Sequence, residues 1–253
     1  ANPVSRSATS AKNKWWLMTT TSAAKASRRA KLTWHWRKRG QDAPRQLSRL
    51  EVTKATTGER SSSAGNSAKS PLRVYAGLPA GETPQERARL ALEELKRVGG
   101  FDRKALVLIT PTGTGWVDPS SIEGVEYLFR GDVASVAVQY SYLSSPLTLF
   151  LDPETGGVTA RAVFRQIYGY WRSLPKDQRP KLYLHGLSLG ALNSERSFQM
   201  FDLLEDPFDG AVWAGPPFAS SQWAAATRAR NPGTPIWLPQ FQDGSLVRFM
   251  NQD

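Results

Sequence analysis

Residues 186–190 read Gly-Leu-Ser-Leu-Gly, a G-x-S-x-G pattern. A serine hydroxyl becomes a nucleophile only where a base takes its proton and hydrogen-bond donors receive the charge developing on the attacked carbonyl. Five residues with three fixed recur by chance, so the pattern alone says little. Its setting says more. It follows the strand-like run Lys181-Leu182-Tyr183-Leu184-His185 and opens a helix, the strand–turn–helix that puts a serine at the tip of a sharp turn. Flanking glycines are needed there, because side chains beside a strained turn would strike it or the adjacent strand. Ser188 is therefore the candidate nucleophile. The competing reading is a helix-capping serine turn without chemistry.

A second segment fits the first. The apolar run Ala105–Ile109 is followed by Thr110-Pro111-Thr112-Gly113-Thr114-Gly115-Trp116-Val117-Asp118-Pro119. Where such an elbow is used, one oxyanion donor is the N–H after the serine and another comes from a loop two strands earlier. Counting back from the strand before Ser188, through Val133–Val138, reaches this loop. The expected oxyanion hole is Leu189 N–H with an N–H from within Thr112–Gly115, with Thr112, Gly113 and Thr114 the named candidates. A phosphate-cradling reading of the loop lacks both the Lys-Ser/Thr ending and the G-x-G-x-x-G register.

The base is the difficulty. The chain has two histidines, His35 and His185. His185 lies in the strand three residues before Ser188 and is expected to pack beneath the turn as a core histidine. A triad on this elbow runs nucleophile, acid, histidine along the chain. After Ser188 come Glu195, Asp202, Glu205, Asp206, Asp209, Asp243 and Asp253, but no histidine. The expectation is a chain that stops before its acid and base and turns over little ester by itself.

The elements that must hold these residues alternate. Leu72–Ala76 reads as a strand. Thr83-Pro84-Gln85-Glu86 then carries an N-cap, a proline at the first helical position and a capping-box glutamate. Ala88, Ala91, Leu92, Leu95 and Val98 continue at helical spacing until Gly99-Gly100. Ala105–Ile109, Val133–Val138, Lys181–His185 and Gly210–Ala214 read as buried strands. Asp118–Phe129, Thr155–Leu174, Leu189–Leu204 and Ser220–Arg228 read as helices. This alternation defines an α/β fold with a mostly parallel sheet covered on both faces, with only one clear strand after the elbow.

Charge divides the chain in two. Of 253 residues, 1–70 hold 15 Lys and Arg against three acids, a net of +12, which leaves 18 basic and 19 acidic residues, −1, for the rest. All ten Phe and all seven Tyr follow residue 70. Residues 1–70 are expected to be a disordered basic tail, and 71–253 the folded domain. With no cysteine, a disulfide scaffold, a Cys-ligated zinc site and a thiol nucleophile are excluded. No cofactor or metal is expected. No apolar run approaches the ~18 residues of a membrane helix, so the chain is expected to be soluble or peripheral. Nucleic acid is not the expected partner of the folded part. The runner-up reading is a non-catalytic protein whose basic tail binds nucleic acid or anionic membrane.

Leu72-Arg73-Val74-Tyr75-Ala76-Gly77-Leu78, Thr110–Pro119, Val138-Gln139-Tyr140-Ser141-Tyr142-Leu143, Leu182–Ala191 and Gly215-Pro216-Pro217-Phe218 together resemble one group. It is the bacterial membrane-anchored α/β-hydrolases, whose catalytic domain follows a bundle of membrane helices. The resemblance spans about residues 71–253 and implies a Ser188 nucleophile, an active site at Thr110–Trp116, and a small-molecule or lipid-like ester substrate. Aminoacyl-lipid esters and membrane association belong to that implication. It also implies that the triad acid and histidine lie in a C-terminal segment. Residues 1–70 do not resemble the membrane bundle; a frameshifted or misassembled upstream stretch would account for them.

Overall fold

The computed structural model describes residues 68–250, together with the backbones of two strands, β1 (Trp15–Met18) and β2 (Glu51–Lys54). The rest of the basic segment, with its expected disorder and His35, lies outside the described residues, as does Asp253. The other strands are β3 (Leu72–Ala76), β4 (Ala105–Thr110), β5 (Val133–Val138), β6 (Lys181–Leu187), β7 (Gly210–Ala214) and β8 (Val247–Met250). Among the described residues they form one sheet in the order β2-β3-β5-β4-β6-β7-β1-β8. β2 runs antiparallel to β3, and the remaining pairs are parallel.

Helices make the crossovers: α1 (Pro84–Arg97), α2 (Pro119–Leu128), α3 (Ser145–Leu151), α4 (Thr155–Ser173), α5 (Leu189–Glu195), α6 (Met200–Glu205) and α7 (Ser221–Arg228). Alternation along the strands separates two cores. Leu106, Leu108, Val136 and Leu184 face one side and pack with Ala88 and Leu95 of α1 and Ile167 and Trp171 of α4. Val107, Ile109 and Ala137 face the other side and meet Ile122 of α2. Each residue of β5 is buried, as two-sided cover requires.

Local signals start and stop these helices as their chemistry demands. Thr83 Oγ1 accepts from Glu86 N at 3.1 Å, and Glu86 Oε2 accepts from Thr83 N at 3.3 Å, closing the capping box of α1. Gly99, at φ +73°, turns the chain after it. Asp118 Oδ1 accepts from Ser120 N at 3.3 Å at the start of α2.

Three elements differ from expectation. The helix read across Leu189–Leu204 is two helices, α5 and α6. After Glu195 the Ser197 hydroxyl donates to Ser194 O at 2.7 Å, and Asp202 Oδ2 accepts from Gln199 N at 2.8 Å to begin a new helix. Side chains thus take backbone groups that a continuous helix would use. α3 arises in a stretch with no helical period. β8 is a second strand after the elbow, where one was expected. Among the described residues no helix is long and apolar enough to cross a membrane.

Candidate active site

β6 runs as far as Leu187, and its last pair matches Leu187 with Ala214 of β7. At Ser188 the backbone enters φ 55°, ψ −122°, a region that disfavours side chains. Such a conformation costs about 1–3 kcal/mol and persists only where its surroundings over-determine it. Here they do. Ser188 N–H donates to Ala214 O at 2.8 Å, and Ser188 O accepts from Ala191 N at 2.9 Å. The neighbouring β-strand and the first turn of α5 therefore grip the peptides on either side of Ser188. The Ser188 side chain is exposed at the carboxyl edge of the sheet, and its hydroxyl makes no hydrogen bond among the described residues.

The two motif glycines are steric requirements. A Cβ on Gly186 would lie 2.4 Å from Gly190 O, and one on Gly190 would lie 2.3 Å from Thr110 O and 2.7 Å from Pro111 O. Strand β6, helix α5 and the loop after β4 thus meet backbone to backbone. Thr110 also pairs with Gly186 in register. The sequence-predicted elbow and loop are brought together as expected.

The loop is a closed turn. Thr112 N–H donates to Trp116 O at 3.0 Å, Gly115 N–H to Thr112 O at 2.8 Å, and Gly113 N–H to Ser145 Oγ at 3.2 Å. Of the expected stretch Thr112–Gly115, the N–H groups of Thr112, Gly113 and Gly115 are therefore already engaged. Thr114 is exposed, and its N–H has no acceptor among the described residues. Gln139 clamps the loop from beneath: its amide donates to Thr114 O at 3.1 Å and Ser141 O at 3.0 Å and accepts from Leu78 N at 3.3 Å. Composition and motif reading missed Gln139, though it directly follows β5. Leu189, the other expected donor, opens α5, and a helix's first N–H groups have no partner within the helix.

His185 is 6% exposed and sits in register between Ile109 and Val212. Burial lowers its pKa, while a bond to the Val212 backbone and the Asp118 carboxylate act in the opposite direction. It is a core histidine beneath the turn, as the strand position implied.

The downstream acids have other work. Glu195 is buried and accepts from the Ser220 hydroxyl, Ser221 N and Oγ at 2.8 Å, and Gln222 N at 3.0 Å, capping α7. Asp202 caps α6, Glu205 pairs with Arg172, and Asp206 pairs with Arg179. Asp209 accepts from Leu182 N at the opposite edge of the sheet, and Asp243 accepts from Ser245 N. Among the described residues no group of three or more His, Asp or Glu side chains is placed to hold a metal ion.

Exposed apolar side chains follow several strands at the carboxyl edge of the sheet. Trp116 follows β4, Tyr142 and the α3 residues Leu147, Phe150 and Leu151 follow β5, and Phe218 follows β7, so all lie at the edge where Ser188 emerges. All six are exposed, Phe150 to 83% and Phe218 to 91%. Gly113 N–H bonded to Ser145 Oγ fixes the start of α3 against the Thr110–Trp116 loop.

A family model described as the alpha/beta-hydrolase family matches residues 72–253. With an eight-stranded, mostly parallel sheet and a serine elbow at its edge, the chain belongs to the alpha/beta-hydrolase family. No curated protein and no solved structure matches it.

Proposed function

We propose that this protein is a serine hydrolase of carboxylic esters, with Ser188 as nucleophile. The observation that carries the reading is the Ser188 backbone, held at φ 55° by Ala214 and α5 with its side chain exposed. A turn that only capped a helix would not require this strain, and Ser188 makes no side-chain cap to α5. Ser188 Oγ attacks the ester carbonyl while a histidine of the C-terminal segment that the resemblance implies takes its proton and passes it to the departing alcohol. Water then releases the acid from the acyl-enzyme, and each tetrahedral oxyanion is received by Leu189 N–H and an N–H within Thr112–Gly115. Thr114 is the loop residue whose N–H has no competing acceptor among the described residues.

The substrate class we infer is a lipid-like ester, aminoacyl-lipid esters included. The exposed Trp116, Phe150 and Phe218 support it, because aromatic groups left in water at the sheet edge that carries Ser188 gain by meeting an acyl chain or a bilayer face. The membrane association proposed for the protein is of this peripheral kind. Hydrolysis of short-chain and vesicle-borne esters by the full gene product, beside Ser188→Ala, tests the reading. Loss of turnover in the variant is expected; unchanged turnover overturns the assignment.

A further inference from the structure

Within Thr112–Gly115 the backbone N–H left without an acceptor among the described residues is that of Thr114, which belongs to the Gly113–Thr114 peptide. The peptides on both sides of it are held at each end. In the Thr112–Gly113 peptide, Thr112 O accepts from Gly115 N at 2.8 Å and Gly113 N donates to Ser145 Oγ at 3.2 Å. In the Thr114–Gly115 peptide, Gly115 N makes that same bond and Thr114 O accepts from Gln139 Nε2 at 3.1 Å. One peptide further on, Gly115 O accepts from Tyr75 Oη at 3.0 Å. Peptides are planar, so fixing those on either side leaves the one between little freedom to rotate. The direction of Thr114 N–H is thus set by the groups that hold the rest of the loop.

Among those groups Gln139 reaches furthest. It is 9% exposed, and its amide is fully used. Nε2 donates to Thr114 O and to Ser141 O at 3.0 Å, and Oε1 accepts from Leu78 N at 3.3 Å. One side chain therefore joins the segments that follow β3, β4 and β5. Its orientation has one solution, since turning the amide would set Oε1 against two carbonyl oxygens. Gly115, at φ +84°, lets both supports close on the loop: a Cβ there would strike Tyr75 Oη and lie 2.7 Å from Gln139 Cγ. An apolar side chain of similar length would fill the same space without the cost of burying an amide. What the amide adds is a fixed loop carbonyl.

We propose that Gln139 is a positioning residue for ester hydrolysis, seconded by Tyr75: by holding Thr114 O and Gly115 O they aim Thr114 N–H at the oxyanion. Neither side chain touches the substrate. The inference rests on the hydrolase reading above and deepens it, naming the loop donor that acts and what holds it. An oxyanion donor is effective when it is already in place as the charge develops; a loop free to turn loses part of that stabilisation to reorganisation. Removing the supports therefore slows the chemical step and leaves binding of the uncharged ester unchanged.

The test compares Gln139→Met, Tyr75→Phe and Ser188→Ala in the full gene product, on a short-chain ester and with a trifluoromethyl ketone, whose serine adduct carries the same oxyanion. Turnover is expressed per active site, counted by fluorophosphonate titration. We expect Gln139→Met to lower kcat about 10- to 100-fold and Tyr75→Phe about threefold, with KM little changed. The inhibition constant of the ketone should rise by the factor by which kcat/KM falls. A side chain that only stabilised the fold would reduce the number of active sites and not the turnover of each. If Ser188→Ala is inactive while both other variants keep the parental kcat, or raise KM alone, the positioning role is overturned and the hydrolase reading survives. Ester turnover that is absent from the parent, or persists in Ser188→Ala, removes that reading and the positioning role with it.

Discussion

At the scale of single residues, the elbow depends on what is missing from Gly190. Its Cα faces the Thr110 and Pro111 carbonyls, which are backbone atoms in a strand end and a proline, with little freedom to yield. Gly190→Ala is expected to cost about 2–3 kcal/mol in stability by overpacking and to lower ester turnover by moving the loop off Leu189. Urea unfolding and a short-chain ester assay measure the two effects. His185 sets a pH dependence. Its folded pKa lies below the ordinary 6.5 because of burial, so the unfolded chain binds more protons as the pH drops. The stability His185 contributes is fully present above about pH 6.5 and is lost as the pH falls through its folded pKa. Unfolding midpoints measured down the acid limb should decline less steeply in His185→Gln than in the parent. Both glycines and the buried histidine were legible in the sequence, since strand parity and the motif place them. The engaged N–H groups of Thr112 and Gly113 were not, because their acceptors, Trp116 O and Ser145 Oγ, depend on how the turn closes and where α3 begins.

At the scale of elements, α5 ends where its last residue is needed elsewhere. Glu195 leaves the helix axis to cap α7, accepting from two backbone N–H groups and two hydroxyls across the segment that follows β7. Glu195→Ala should lower stability by about 3 kcal/mol, since it strips a helix cap and leaves buried donors unpaired. Amide hydrogen exchange should show α7 losing protection before the sheet does; uniform loss across the domain would contradict this latch. A helix spanning Leu189–Leu204 was a reasonable expectation from apolar spacing, and it failed because the Ser197 hydroxyl and the Asp202 carboxylate take backbone groups between α5 and α6. Periodicity reports which face is buried, not which side chain bonds the backbone. The α1 capping box, by contrast, was readable to the residue, because Thr83, Pro84 and Glu86 satisfy one another locally.

At the scale of the molecule, the alternation of buried strands and amphipathic helices carried the α/β architecture, and the family match over residues 72–253 agrees with it. The order β3-β5-β4-β6-β7 puts β4 beside β6, which brings the loop Thr110–Trp116 to the elbow. The exposed apolar edge was not legible: Ser145–Leu151 has no helical period, and of its residues only Thr148 is buried. Exposed aromatic groups make little contact with the core, so Phe150→Ser with Phe218→Ser should change stability by less than about 1 kcal/mol. The same pair should reduce turnover of vesicle-borne esters about tenfold while sparing short soluble ones. Equal losses on both substrates would remove these side chains from substrate recognition.

The central claim is that Ser188 is a reactive nucleophile, and covalent labelling tests it most directly. The full gene product is treated with a fluorophosphonate and digested, and the modified peptide is located by mass spectrometry. A single phosphonylated site at Ser188, abolished in Ser188→Ala, is the predicted result. A protein that hydrolyses esters while Ser188 stays unlabelled, or that labels equally well in Ser188→Ala, would contradict it.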